Sequence, residues 1–265
     1  MRNFKKLSVI LVNYRGEQYL PECLGSVCEK LGGYFAIETI IVNNNTQKKL
    51  DSSKLAPKFK NLKIINLEKN IGYGAGNNRG VKEAGGELLL FLNPDTRIVS
   101  VRPEKIQEQF ENSKNTAILG ARLVDLKGQN QPWSSGLAIT PLDTVLNNLG
   151  FIRSQRIWQS HDCQNVDWVI GAALFMRRTD FEKMGGFDEN FFLYFEDIDL
   201  CRRTKKNNKK IIYFPSFTVE HRCGASFKNK SQQKSEFYKS QDYYFKKHFG
   251  KSKSLILKAL RRVFH

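Results

Sequence analysis

Glu196, Asp197 and Asp199 crowd together directly behind the apolar run Phe191–Phe192–Leu193–Tyr194–Phe195. Acids in the first turn of a helix are favoured by its dipole and can be simple caps. An aromatic neighbourhood also withholds water, which raises a carboxylate's pKa towards the range of a general base. Another acid, Asp95, follows Asn93–Pro94. A single carboxylate on a rigid turn suits Mg2+ or Mn2+, ions that complete their shell with substrate phosphates, and it also suits an ordinary Asx or proline turn. His221, within Glu220–His221–Arg222–Cys223, offers a metal ligand, a phosphate contact or a structural imidazole.

Amides gather at three points: Asn13–Tyr14–Arg15, Asn43–Asn44–Asn45 and Asn93–Pro94–Asp95. Each follows a short apolar run, and ligands of parallel sheets bind beyond the carboxyl ends of strands. An amide both donates and accepts, so it can read a base edge or a ribose; Asn and Asp are also good turn residues. In Asn70–Gly80 (NIGYGAGNNRG), Gly72, Gly74 and Gly76 let backbone approach a ligand at a helix start that favours an anion. The spacing departs from G-x-G-x-x-G, and the next strand ends in Asn93 where the dinucleotide fingerprint has an acid.

These groups need a frame. Leu7–Asn13, Ile37–Val42, Leu62–Leu67 and Leu88–Leu92 read as buried strands. Helical segments intervene, the clearest over Gly16–Leu31, with apolar residues at Tyr19, Leu20, Cys23, Leu24, Val27 and Leu31. The pattern predicts an α/β domain with a parallel sheet covered on both faces. Ala117–Val124, Trp168–Arg177 and Ile211–Pro215 read as further strands, and Lys127–Ser160 as a long, partly mobile loop. The domain is expected over residues 1–250. Residues 251–265 form a basic amphipathic helix, with Ile256, Leu260, Val263 and Phe264 on one side and Lys251, Lys258, Arg261 and Arg262 on the other.

The 265 residues are 40% hydrophobic, enough for one large core, and no run of about 18 apolar residues occurs. Met1–Lys6 leads directly into the first strand, so no secretory signal is expected. The five cysteines, Cys23, Cys28, Cys163, Cys201 and Cys223, form no C-x-x-C pair and read as free thiols in a reducing compartment. The formal charge is +17. From Cys201 to His265 there are 18 Lys or Arg against three acids, a net of +15. Such a block suits phospholipid headgroups, a phosphorylated substrate or nucleic acid, or a solvated surface. No aromatic–basic recognition motif accompanies it, so nucleic acid is not the expected partner.

In this order, LSVILVNYRG, IIVNNNT, NIGYGAGNNRG, LLLFLNPDT, VIGAALFMRR, GGFDENFFLYFEDIDLCRR and EHRCGAS resemble the large glycosyltransferase family 2, and within it the rhamnosyltransferase-like branch. The match extends from Leu7 to Ser226 and is most specific in the acidic segment. The resemblance implies a GT-A fold, Rossmann-like with a mainly parallel sheet, a dTDP- or UDP-sugar donor, and Mg2+ or Mn2+. Carried over by position, Asn13, Tyr14 and Asn43 line the nucleoside pocket, and Gly74, Asn77 and Asn78 lie beside the nucleotide sugar. Asp95 is the metal-binding Asp, with Asn93 at the first position of the D-x-D motif, and His221 assists the metal or diphosphate. Trp168, Gly171 and Ala172 border the acceptor site. Asp197 is the general base with Glu196 beside it, a choice over Glu196 or Asp199 that comes from family position and not from spacing.

One departure bears on the donor. Asn43 stands where the family usually has Asp, so a charge-assisted bond to base or ribose is lost. The resemblance implies an inverting transfer, of L-rhamnose from dTDP-L-rhamnose onto a lipid-linked saccharide for a cell-surface polysaccharide. The enzyme would work in the cytoplasm, peripherally, with its basic C-terminus on the anionic inner face of the membrane. A UDP-sugar transferase or a non-catalytic sugar-nucleotide-binding relative are the alternatives. A glycoside hydrolase also pairs carboxylates but has no use for a nucleotide pocket.

Overall fold

A computed structural model describes residues 5–55, 59, 61–222 and 230–264. Cys223, Gly224, Ala225 and Ser226 lie outside the described residues, as do the side chains of Arg262, Val263 and Phe264. The chain runs β1 (Lys6–Asn13), α1 (Leu20–Leu31), β2 (Ala36–Asn43), α2 (Ser52–Leu55), β3 (Leu62–Asn66), α3 (Tyr73–Lys82) and β4 (Leu88–Leu92). It continues through β5 (Thr96–Val101), α4 (Pro103–Glu111), β6 (Thr116–Val124), β7 (Ser135–Gly136), α5 (Pro141–Asn148), α6 (Gln155–Trp158) and β8 (Gln164–Val166). It ends with β9 (Trp168–Val169), β10 (Ala173–Arg177), α7 (Arg178–Lys183), α8 (Glu196–Lys206), β11 (Lys210–His221), α9 (Lys230–Phe249) and α10 (Lys251–Phe264).

The main sheet has the order β3-β2-β1-β4-β10-β6-β11-β5, with β8 on β11. β3, β2, β1 and β4 are parallel, β10 runs against both β4 and β6, and β11 runs parallel to β6. The ends of β1, β2, β4 and β11 therefore open on one edge, which brings Asn13, Asn43, Asn93 and His221 to the same side.

Alternation along the strands sends successive side chains to opposite faces. Leu7, Val9 and Leu11 of β1 and Leu88, Leu90 and Leu92 of β4 pack with Leu24, Val27 and Leu31 of α1 and Ile106 and Phe110 of α4. Ile10, Leu89 and Phe91 point the other way, into Val81 of α3, Phe181 of α7 and Leu200 of α8. Each fully buried Leu, Ile or Phe contributes about 1.5–3 kcal/mol, so both helical layers are held by the same strands. A third cluster joins Phe191 and Phe195 to Tyr244 and Phe245 of α9 and Leu257 of α10.

The glycine-rich segment is a packing device. A Cβ on Gly76 would lie 2.9 Å from Val12 Cγ1, and one on Gly80 would lie 2.6 Å from Ile10 Cγ2. Their absence lets α3 settle directly on the sheet. Gly72 has φ +90°, and a Cβ there would lie 2.4 Å from the Phe192 carbonyl oxygen. Gly74 meets Phe187 and Glu196. The missing side chains of Gly74 and Gly76 thus make room for protein.

Other expectations also shift. The run read as one strand, Trp168–Arg177, breaks at Ile170–Ala172, where the Gly171 amide is drawn out of the ladder to a side chain described below. The segment read as a loop, Lys127–Ser160, holds β7, α5 and α6. Its helix start carries a capping box: Thr140 Oγ1 accepts from the Asp143 amide at 3.2 Å and Asp143 accepts from the Thr140 amide at 3.1 Å. The C-terminal helix turns back at Gly250 (φ +92°) onto α9, and among its described side chains the one it buries is Leu257, while Ile256, expected on the apolar side, is exposed. Arg261, expected on the polar side, points in to Gln241 and Asp242.

The contact of Gly80 with Ile10 involves a β-branched side chain that cannot swing away. Gly80→Val is expected to destabilise the fold by about 1–3 kcal/mol, read as a melting midpoint several degrees lower, whereas Gly25→Ala in α1, where a Cβ meets nothing within 4 Å, should not lower it.

Candidate active site

A cavity of about 860 Å3 lies at the sheet edge where β1, β2, β4 and β11 end. Asp95 and His221 stand on one wall. Asn93 N–H donates to the Ala172 carbonyl at 2.9 Å, and Arg222 N–H to the Asp95 carbonyl at 3.0 Å, fixing the turn between its neighbours. His221 Nδ1 lies 3.0 Å from Gln131 Oε1, an acceptor, so Nδ1 carries the proton and Nε2 presents a lone pair. That nitrogen is 3.5 Å from Asp95 Oδ1 and 3.4 Å from Asn93 Nδ2, while Asn93 Oδ1 is buried without a hydrogen-bond partner. A carboxylate oxygen and an imidazole nitrogen facing one small volume fit a divalent cation, and a flip of the Asn93 amide would turn its oxygen to the same place. No cluster of three His, Cys, Asp or Glu exists among the described residues, so such an ion would draw the rest of its shell from phosphate and water.

Glu196 and Asp197 form another wall. The chain enters α8 through Tyr194 (φ 68°) and Phe195 (φ 67°), both left-handed, so the two acids emerge at the helix start already buried. Gly171 N–H donates to Asp197 Oδ2 at 2.7 Å, and Ile198 N–H to Oδ1 at 2.7 Å. The Tyr73 hydroxyl donates to the Gly171 carbonyl at 2.6 Å, so that peptide is clamped from both ends. Burial pushes the Asp197 carboxyl above its ordinary value, with the two amide donors offsetting part of the rise. Burial and then the neighbouring Asp197 charge push Glu196 well above its own, and Glu196 Oε2 has no partner. Asp199 differs. Burial alone would raise it, but His248, Arg203 and Lys247 bring it below its ordinary value, with Lys247 Nζ at 2.6 Å and His248 Nε2 at 2.7 Å from Oδ1.

Tyr14, Trp168, Gly171 and Ala172 also line the cavity. Five other candidate residues sit behind the wall. Asn13 and Asn43 are fully buried, and Asn13 Nδ2 donates to Asn43 Oδ1 at 2.9 Å. The Asn43 amide nitrogen is occupied by Asn66 Oδ1 at 2.8 Å and the Lys48 carbonyl at 2.9 Å. A carboxylate could not make those donations, so the Asn that departs from the usual Asp ties β2 to β3. The carboxylate nearest this amide cluster is Glu17, which accepts from Asn45 Nδ2 at 2.6 Å. Gly74 packs as described, and Asn77 donates to the Tyr73 carbonyl at 3.1 Å. Asn78 bonds the Phe187 backbone in both directions and Glu189. These residues shape the site without facing it.

The remaining walls went unread in the sequence. Phe237, Tyr238 and Gln241 of α9 and Leu257, Leu260 and Arg261 of α10 face the cavity, opposite Val145 of α5. The one available signal was the capping box at Thr140–Asp143. Nothing in the basic, weakly patterned α9 announces which of its faces turns inward.

The profile of glycosyl transferase family 2 matches residues 8–185, and one described as the N-terminal domain of galactosyltransferase matches residues 159–223. The low-salt glycan biosynthesis hexosyltransferase of Haloferax volcanii is 26% identical over 97% of this chain and 78% of its own length. The N-acetylglucosaminyl-diphospho-decaprenol L-rhamnosyltransferase of Mycobacterium tuberculosis is 23% identical over 81% of this chain and 75% of its own. The structure of a Pyrobaculum calidifontis mannosyltransferase in complex with GDP-Man and Mn2+ superimposes with a TM-score of 0.58 at 14% identity, covering 91% of this chain and 63% of that one. Structural likeness at that identity carries the GT-A fold alone, whereas the profile spans more than half of the chain. On that match, and on its rhamnosyltransferase relatives, this chain belongs to glycosyltransferase family 2, in the rhamnosyltransferase-like branch, and is a glycosyltransferase.

Proposed function

We propose that the chain transfers a sugar, L-rhamnose from dTDP-L-rhamnose, onto a hydroxyl of a lipid-linked saccharide with inversion at the anomeric carbon. The observation that carries this reading is Asp197: a buried carboxylate of raised pKa, aimed into the same cavity as Asp95 and His221. The lipid-linked acceptor is supported by the mycobacterial relative, a rhamnosyltransferase acting on a diphospho-decaprenol saccharide, and the divalent ion by the Mn2+ in the archaeal mannosyltransferase structure.

Asp197 takes the proton from the acceptor hydroxyl, and that oxygen attacks the anomeric carbon from the face opposite the diphosphate. The Gly171 and Ile198 amides hold the carboxylate in the attacking geometry. Asp95 and His221, with Asn93 beside them, would hold Mg2+ or Mn2+, and the ion would offset the negative charge of the departing diphosphate. Tyr14 and Asn44 receive the nucleoside at the strand ends, and Trp168 and Ala172 border the acceptor. The enzyme acts on the cytoplasmic face of the membrane, with its basic C-terminal helices towards anionic lipid. No helix among the described residues is long and apolar enough to cross a membrane.

Nucleotide release is to be measured over a panel of dTDP- and UDP-sugars with Mg2+ or Mn2+ and lipid-linked acceptors. One donor should turn over, and Asp197→Asn should lower kcat by about 10²–10⁴-fold with donor binding retained. Nucleotide binding with no turnover on any donor would leave the non-catalytic relative as the reading.

The acid limb of the pH–rate profile should lie above the ordinary aspartate value of 3.8, because Asp197 must lose its proton against burial. Asp95→Ala should abolish the response to added metal while Asp197→Asn retains metal-dependent donor binding, as isothermal titration would show.

Glu196 gives a stability prediction of definite sign. Its folded pKa is raised, so the stability that it contributes is complete below the unfolded value and is lost as pH rises through the folded one. Glu196→Gln removes that loss. Its melting midpoint should exceed that of the wild type increasingly as pH climbs above the ordinary glutamate value of 4.5.

A further inference from the structure

Large apolar side chains left in water are not scattered over this protein. Of eleven strongly exposed ones among the described residues, seven belong to the rim of the cavity or to the helices α5 and α10 that wall it, and an eighth, Phe151, lies three residues beyond α5. Trp133, Leu149, Phe192 and Phe237 line the cavity and are at the same time exposed. Leu142 (67% exposed) starts α5 and Phe151 (66%) follows it. Ile256 (58%) sits one turn before cavity-lining Leu260 on α10, and Leu255 precedes it. The two helices meet in one cluster, where Val145 of α5 packs against the group containing Leu257 of α10.

The charge around these residues is predominantly positive. α9 and α10 together carry ten Lys or Arg against two acids, Glu236 and Asp242. Lys251, Lys253 and Lys258 are exposed beside Leu255 and Ile256, and Arg153 and Arg156 are exposed just beyond Phe151. Exposed apolar side chains on two helices that share a cluster, with basic side chains beside them, are the pattern of a surface that lies in a membrane interface, apolar groups among acyl chains and cations among anionic headgroups.

We infer that the mouth of the cavity is the membrane-seating surface of this enzyme: Leu142, Leu149 and Phe151 on one lip and Leu255 and Ile256 on the other enter an anionic bilayer, so that the cavity opens into the lipid. This rests on the reading of a lipid-linked acceptor and adds to it a place and an orientation. A saccharide carried on a membrane lipid then meets Asp197 without its lipid crossing water. It also assigns the basic block a narrower task than general attraction, since the apolar lips enter the acyl layer and the lysines hold them there.

The test is co-sedimentation of the full chain at physiological salt with vesicles of phosphatidylcholine, with and without phosphatidylglycerol. The wild type should bind the vesicles containing phosphatidylglycerol. Leu142→Glu with Phe151→Glu, and separately Ile256→Glu, should each weaken binding by about tenfold or more. Lys251→Glu with Lys253→Glu should weaken it only where the lipid is anionic. Unchanged melting midpoints would show that the variants fold, and unchanged turnover on a water-soluble acceptor lacking the lipid would show an intact site. No vesicle binding by the wild type, or equal binding by the apolar variants and the wild type, would overturn the inference; the second outcome leaves binding to the lysines alone. Vesicle binding lost in the apolar variants of a chain that turns over no sugar nucleotide would sustain the seat and remove the transferase.

Discussion

Tyr194 and Phe195 hold left-handed backbone in succession, and the arrangement of the active site depends on their staying there. Bulky residues in that region cost roughly 1–3 kcal/mol each, so surrounding structure must over-determine them. The surroundings here come from α9. Its Tyr244 and Phe245 pack with Phe191 and Phe195, Ser240 donates to the Leu193 carbonyl, and Gln233 donates to the Tyr194 hydroxyl. From the other side Tyr73 N–H donates to the Phe192 carbonyl across Gly72, where no side chain fits. The loop is gripped between an early helix and a late one, and the first residues it delivers are Glu196 and Asp197.

Three acids within one helical turn then meet different fates. Positions two apart on a helix point away from each other, so Asp197 faces the cavity while Asp199 faces inward. Asp199 finds Arg203, Lys247 and His248 and stays ionised as an internal fastener between α8 and α9. Asp197 finds two amide hydrogens and no cation, and its pKa rises. A base that needs to accept a proton gains from that difference, since a salt bridge at Asp197 would have made it too weak. Glu196, buried with Oε2 unpartnered and the Asp197 charge beside it, is pushed well above its ordinary value, an example of stability yielded where chemistry is done.

The same economy explains the break between β9 and β10. A continuous strand would commit the Gly171 amide to the sheet. Breaking the ladder releases that N–H to Asp197, and the Tyr73 hydroxyl takes up the carbonyl on the other side. Sheet, glycine helix and acidic helix are thereby joined at a single peptide, which explains why elements so far apart in the chain act on one site.

The alternation of apolar runs with helical spacing was enough to determine the α/β layering, because burial on two faces leaves a pattern that neighbouring residues alone reveal. It also determined the ends of β1 and β4 and, to within a residue, of β2, whereas Asp95, Asp197 and His221 were picked out by the family resemblance. What it could not determine was which polar residue faces the cavity and which is spent inside. Asn13, Asn43 and Asn78 look like ligand contacts in one dimension, yet Asn13 bonds Asn43 30 residues away and Asn78 bonds Phe187 109 residues away. The glycines read as a ligand loop because a missing side chain looks the same whether phosphate or Val12 fills the space. Only the tertiary structure decided that α9 and α10 close the cavity and that Leu257, not Ile256, is buried. A helix's inward face is set by what it packs against, and here that surface comes from residues far earlier in the chain.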